Sequence, residues 1–431
     1  MSGSSLAVSS SRWFALAWTW TIPPGYDGER KVAMTVILHG TGLDHRWGHA
    51  NHPPKVFRPD DVVVSADGTS PGPNGSRLFL GEKKDADAFH AFLDEMRAAF
   101  VVDRVFLYGH SQGSFFAVYY AGERPDDVTG ICAHASGSWT WSKTGKAVQQ
   151  VAIAFQHGSA DPVVPYAQSV GARDHYAGLG FPLLHLRRLE SYNHWPNAVR
   201  SDETLNWCEA MTTGDPARGL ALAERIAAKK RPDEYQWTAV PGFSSAREIT
   251  RRIATGKPRP FDQDPDATTL ARAKSLAKRI EDHAGEHVAA LRKQLPAKKA
   301  LVLDATSDWL GHFVALREDF RGVDAVEAFV KDLGYDELAA RHAKDSQKLF
   351  DAWYGEDQKA ACLAALETLP KAFLCDVFPS GLAEALVTWR GKSKEWKLGK
   401  KELAALDLAD AWAKGRVEGA KAYAAIWGRW D

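Results

Sequence analysis

Residues Tyr108–Phe116 read YGHSQGSFF, and this stretch constrains the chain more than any other. VVDRVFL precedes it, an apolar run suited to a buried strand, and FFAVYYAGE ends it, apolar and long enough for a helix. A serine at the tip of a sharp strand-to-helix turn must adopt a strained backbone. Its neighbours two residues away approach other main chain and must be small, as Gly109 and Gly113 are. The following helix directs its free N–H groups and its dipole towards whatever reacts at the serine. The plainer reading is a glycine turn with an ordinary serine. The strand before and the helix after favour a nucleophile, Ser111.

The first half of the chain alternates strand and helix signals. Val32–Gly40 and Asp60–Gly68 are apolar runs ended by turn residues, and Arg12–Ile22 reads as a first strand. A helix is expected over Glu82–Phe100, a strand over Arg104–Tyr108 and a helix after the serine. VTGICAHAS, VAIAFQHGS and PLLHLRRLES then read as three more strands, and a last helix is expected near Asn197–Met211. Strands alternating with helices imply an α/β fold, a mainly parallel sheet covered on both faces. Ligands of such sheets bind outside the carboxyl ends of the strands, where the chemistry-bearing stretches of this chain fall.

A serine hydroxyl is a weak nucleophile at neutral pH. It needs a base to take its proton and a carboxylate to orient that base. In chain order, acid and then base are expected after the serine. VAIAFQHGSADPVVP ends a strand and presents Asp161 in a loop, where an Asp-Pro turn is the plain alternative. LESYNHWPN places His194 in a loop after the next strand, where a packed loop histidine is the alternative. Asp174 falls in a helix and His185 in a strand, which suits neither role. An oxyanion hole would use the N–H of Gln112 and one from ILHGTGLDH, where Thr41 follows His39-Gly40.

LHGTG, GHSQGS, HGSADPVVP and a late loop histidine together make the first half resemble an α/β-hydrolase. The resemblance is to the compact carboxylesterase and acyl-protein thioesterase group, and to polyhydroxybutyrate-depolymerase and feruloyl-esterase relatives. It spans roughly residues 13–210. It implies catalytic roles for Ser111, Asp161 and His194, oxyanion donors at Thr41 and Gln112, and no cofactor. Two departures stand out. Ser114 occupies a place where such relatives often have Gly or Ala, and the long second half lies outside the compact pattern.

Composition changes near TTGDP, residues 212–216. Up to Thr212 the chain has 18 Lys+Arg against 21 Asp+Glu, and beyond it 36 against 33, so net charge turns from −3 to +3. The second half is rich in Ala, Lys, Leu and Glu, which favour helices. Leu270, Ala273, Ala277, Ile280, Ala284, Val288 and Leu291 mark one stripe on a long helix. Further helices are expected over Pro216–Lys230, Ala325–Gly334, Asp336–Tyr354, Lys359–Leu369 and Lys400–Lys414, with loops over Arg231–Ser245 and Gly256–Asp266. The expected division is a hydrolase domain, 1–213, and an all-helical domain, 214–431, packed near the rim of the active site.

The formal net charge is zero, so nucleic acid is not an expected partner. No run reaches the ~18 apolar residues of a membrane span. The N-terminus lacks a basic leader, so a cytoplasmic location is expected. Four cysteines, Cys132, Cys208, Cys362 and Cys375, are too few and too scattered for a disulfide framework or a metal site. His45, His49 and His52 cluster, but Gly48 and Pro53-Pro54 argue for a loop rather than a metal-binding helix. Trp139, Trp141 and Trp195 are candidates to hold an apolar acyl group, or alternatively packing residues. The expected activity is cofactor-independent hydrolysis of a small or polymeric carboxylic ester through an acyl-enzyme. A thioester, polyester or feruloyl-type ester is the alternative substrate. A binding or scaffolding protein with a vestigial hydrolase domain is the alternative from another class.

Overall fold

The computed structural model describes residues 7–10, 17–137, 143–158, 161, 163–189, 192–228, 242–295, 307–334, 357–368, 382–408 and 410–411. Its centre is an eight-stranded sheet of β1 (Ala7–Ser10), β2 (Ala17–Thr21), β3 (Val32–Leu38), β4 (Val62–Ala66), β7 (Val102–His110), β8 (Gly130–His134), β9 (Ala152–Gly158) and β10 (Leu184–Leu189). The short pair β5 (Ser70–Pro71) and β6 (Arg77–Leu78) stands apart. The order is β1-β2-β4-β3-β7-β8-β9-β10. From β4 to β10 every pairing is parallel, and β1 and β2 run antiparallel at one edge. The first strand expected over Arg12–Ile22 is thus seen as β2, with β1 added before it and residues 11–16 outside the described set.

Side chains of the central strands divide between the two faces with period two. Met34, Val36, Leu38, Val105 and Leu107 join one core with α2 (Lys83–Ala99), α3 (Gln112–Glu123) and α4 (Tyr166–Gly178). Ala33, Ile37, Phe106 and Tyr108 join the other, against α5 (Ala198–Thr212). That second core does not stop at α5. It runs without a break through α6 (Pro216–Ala227), α7 (Phe243–Thr255), α8 (Ala267–Lys293), α9 (Ser307–Asp319) and α10 (Asp324–Leu333). It also takes in α11 (Gln358–Thr368) and α12 (Leu382–Lys392).

Two loop expectations give way to helices. His45–Asn51 forms α1, capped by the Asp44 side chain, which accepts from the N–H groups of Arg46 and Trp47. Gly48 breaks no helix here. A Cβ on it would lie 2.0 Å from Ser65 Oγ, so its absence lets α1 press onto β4. Residues 243–245, expected in a loop, open α7, whose turns bury Phe243, Ala246, Ile249 and Ile253. The helix expected over Asp336–Tyr354 lies outside the described residues, as does Cys375, while Cys132, Cys208 and Cys362 are free and buried. No described helix is long and apolar enough to cross a membrane.

α5 carries Asp202, Asn206 and Glu209 on one face, and all three are buried. Arg58 answers them: its N–H donates to Asp202 at 2.9 Å, Nη1 to Asn206 at 2.8 Å and Nη2 to Glu209 at 2.6 Å. Arg104 and Arg218 also donate to Glu209, tying the start of β7 and the start of α6 to α5. Burial pushes the Glu209 carboxyl up, but Arg58, Arg218 and Arg104 outweigh it and hold it down to about 2. A depressed carboxyl contributes stability above its ordinary value, 4.5, and loses it as pH falls towards about 2. Glu209→Gln is therefore expected to cost on the order of 3 kcal/mol at pH 7. Asp61 beside it is pushed up, by burial first, so its own pH dependence has the opposite sign. Urea unfolding of both proteins at pH 7 and pH 3 isolates Glu209: the gap should narrow at pH 3, and an unchanged gap contradicts the assignment.

Candidate active site

β7 ends at His110, and Ser111 stands between it and α3 with φ 49° and ψ −119°. A positive φ at a residue with a Cβ costs on the order of 1–3 kcal/mol and persists only where the surroundings enforce it. Here they do. Ser111 N–H donates to His134 O at 3.0 Å, and Ser111 O accepts from Ser114 N at 2.9 Å and from Ser114 Oγ at 2.6 Å. A Cβ on Gly109 would lie 2.4 Å from Ser114 Cα, and one on Gly113 2.3 Å from Leu38 O. Both glycines are therefore required by backbone approaching backbone. Ser114, the departure noted in the sequence, is itself a brace of the turn.

The loop after β3 closes against this elbow. A Cβ on Gly40 would meet His110 Cδ2 at 3.0 Å and Ser111 Cβ at 3.2 Å. His39 orients the loop: Nδ1 lies 2.8 Å from Gly40 O, and Nε2 lies 3.1 Å from Gly68 N. A carbonyl only accepts and an amide N–H only donates, so His39 is neutral with its proton on Nδ1. Burial lowers its pKa, in keeping with that state. In a planar trans peptide, fixing Gly40 O fixes the direction of the Thr41 N–H. Thr41 itself is exposed. Gln112 occupies the first turn of α3, where N–H groups have no acceptor within the helix, and its side-chain Oε1 accepts from Phe79 N at 3.3 Å.

Asp161 is buried after β9. Its Oδ1 accepts from Val163 N at 2.8 Å and Val164 N at 2.9 Å, and its Oδ2 lies 2.8 Å from His194 Nδ1. Burial would raise its pKa, but hydrogen bonds from His157 and His194 hold it below the usual carboxylate range. Asp161 is thus ionised, and His194 donates from Nδ1, leaving Nε2 as the acceptor. Gly158 makes the meeting possible: a Cβ there would lie 2.2 Å from Tyr192 O and 2.5 Å from Asn193 O. The loop that carries His194 therefore runs directly across the end of β9.

His110 links the two parts. Its ring lies 4.8 Å from that of His194, and it stacks on Trp47 at 4.9 Å and Trp195 at 5.9 Å. It is also 2.9 Å from His134 through their Nδ1 atoms. Burial first, then His194 and His52, pushes its pKa down to about 3, so it remains a neutral platform. Trp195 leaves 53% of its surface exposed beside His194. Trp139 and Trp141 lie outside the described residues. His45 is bound to Asp67 at 2.9 Å and His52 to Gly48 O at 3.1 Å. Among the described residues no cluster of three or more His, Cys, Asp or Glu could hold a metal ion. The sequence assigns no role to His39, His110 or Gly158, and offers His157 only as a rival to His194 for the base. The pairs His39-Gly40 and His157-Gly158, each at the end of a strand, were the available signal.

Residues 81–194 match the family model described as phospholipase/carboxylesterase, which bears out the resemblance to α/β-hydrolase esterases over that span. No curated protein matches the chain. Among solved structures, a thermostable esterase is 15% identical, with 51% of this chain and 62% of that one covered and a TM-score of 0.35. The chain therefore spans less than two thirds of that esterase. A Bacillus cereus carboxylesterase is 16% identical, with 46% and 94% covered and a TM-score of 0.37. The feruloyl esterase module from Clostridium thermocellum is 13% identical, with 46% and 87% covered and a TM-score of 0.36. These scores are low, and the α/β-hydrolase fold stands on the sheet order, the strand-to-helix elbow and the family match.

Proposed function

We propose that this α/β-hydrolase cleaves carboxylic esters by a serine acyl-enzyme mechanism. The observation that carries the reading is the 2.8 Å hydrogen bond from His194 Nδ1 to the buried Asp161, with the His194 ring 4.8 Å from that of His110, the residue before a serine held at positive φ. Ser111 Oγ attacks the ester carbonyl while His194 Nε2 takes its proton. The tetrahedral oxyanion is held by the N–H groups of Gln112 and Thr41. Collapse expels the alcohol, which receives the proton from His194, and leaves the acyl group on Ser111. Water then gives a proton to His194 and attacks the acyl carbon, releasing the acid and free Ser111. Trp195 lines the entrance and offers an apolar face to the acyl or alcohol group.

Every proposed catalytic group precedes residue 195. We assign residues 214–431 a supporting role, shaping access for larger substrates while holding α5 in place. The test is a panel of aryl esters of rising acyl length, run beside thioester and polyester substrates on the full chain, with labelling by a fluorophosphonate probe. Labelling at Ser111 together with aryl-ester turnover is expected; a protein that neither labels nor turns over any ester is not a serine esterase. The panel also decides between an oxygen ester and a thioester. Chelation should leave the rates unchanged, because no step above uses a metal. Inhibition by EDTA that added metal reverses would return attention to His45, His49 and His52.

A further inference from the structure

We propose that His157 is a positioning residue that clamps Asp161 and its loop, and so holds the carboxylate that orients His194. The proposal rests on the hydrolase reading of Asp161 and His194. His157 is completely buried at the end of β9. Its Nε2 lies 2.8 Å from Val164 O and 3.2 Å from Asp161 Oδ2. The Val164 carbonyl can only accept, so Nε2 carries a proton, and that one N–H is shared between the loop backbone and the carboxylate. Val164 N–H in turn donates to Asp161 Oδ1 at 2.9 Å. His157, Val164 and Asp161 therefore form a closed ring of hydrogen bonds. One carboxylate oxygen is held by the loop's own N–H groups, and the other by two histidines, His194 and His157.

The far side of the imidazole anchors this ring to the scaffold. His157 Nδ1 lies 2.7 Å from Ser169 Oγ on α4, and Ser169 Oγ donates to Ser136 O, beyond β8, at 2.8 Å. Tyr166 packs edge-on against the imidazole at 5.8 Å, and the Arg188 guanidinium sits over the Tyr166 ring at 4.9 Å. A loop that carries a catalytic carboxylate is thus fastened to β8, β9 and α4 through one side chain. Without the clamp, Oδ2 would keep His194 as a partner but lose one of the contacts that fix the carboxylate rotamer.

Glutamine and asparagine separate this role from bulk packing. Gln places an N–H near the position of imidazole Nε2, whereas Asn reaches only the position of Nδ1. With His157→Gln, kcat should stay within about tenfold of wild type. With His157→Asn, kcat should fall by about 10²-fold at unchanged KM, the loss that follows when a catalytic group moves by about 1 Å. The low-field proton resonance of the His194–Asp161 hydrogen bond should persist in the Gln protein and vanish in the Asn protein. Should the Asn protein fail to fold, His157→Phe, which fills the site without a donor, takes its place and should show the same losses. Equal kcat in the Gln protein and the Asn or Phe protein, whether both high or both low, overturns the clamp, as does a resonance that survives in both. The wild-type control separates the two readings. A wild-type protein with no ester turnover and no fluorophosphonate label defeats the hydrolase assignment itself.

Discussion

Ser111→Ala is expected to lower ester turnover by about 10⁶-fold, the loss found when a triad nucleophile is removed. The alanine methyl cannot form the acyl-enzyme. The fold should be unaffected. What enforces the positive φ at this position is the pair of glycines and the bonds to the Ser111 backbone, none of which uses the Ser111 Oγ. Alanine fits the same turn. The measurement is turnover of a short aryl ester by a preparation free of other esterases, beside circular dichroism and a thermal melt. Wild-type turnover from a correctly folded Ser111→Ala protein would mean that the nucleophile lies elsewhere. His194→Ala should be comparably severe, whereas His185 should be dispensable for chemistry, since its Nε2 already faces Ser245 Oγ at 2.9 Å.

The second large effect is expected from Asp161→Asn, on the order of 10⁴-fold in kcat if the site behaves as other triads do. The amide can still accept from Val163 and Val164 through its oxygen. Its NH₂ then faces His194 Nδ1, which must give up its proton and become the acceptor. The proton moves to Nε2, where the base should be vacant. The same NH₂ also meets the Nε2–H of His157, donor against donor, so the variant is opposed twice. In the wild type Asp161 stays charged far into acid, because its pKa is held down. A kcat/KM that rises with pH therefore reports a group other than Asp161. A flat pH profile, or a fully active Asp161→Asn, would rule out this pair as base and orienter.

The sheet was legible because parallel strands buried on both faces read as apolar runs; β3 and β9 fall inside theirs, while β7 runs from Val102 to His110, beyond the expected Arg104–Tyr108 at both ends. The elbow was legible for a different reason: Gly109 and Gly113 are imposed by backbone collisions, so the chain must spell them out. α1 was misread because a glycine has two meanings. Gly48 looks like a breaker in one dimension, and only the neighbouring Ser65, 17 places along the chain, reveals it as a site of close packing. The stripe on α8 was found in Ala273, Ile280, Ala284, Val288 and Leu291, but Leu276, His283 and His287 are also buried there. Histidine counts as polar in a periodicity, while a neutral imidazole packs as an aromatic ring. The clamp at His157 was illegible on its own, since its partners Val164, Ser169 and Ser136 become neighbours only when three elements meet.

α5 is buried along nearly its whole length, from Arg200 to Met211, pressed by the sheet on one side and by the later helices on the other. Its cap, Asn197, comes three residues after His194. The proposed base therefore hangs from the end of a strut that both parts of the chain grip. Arg252 of α7 tightens the grip by donating to the carbonyls of Ala210 and Thr213, where the strut ends. The practical result is mechanical. Loss of turnover on heating is expected to track the loosening of α7 and α8 rather than the melting of the strands. Engineering for endurance would then begin at α7 and α8, whose residues take no part in the proposed chemistry.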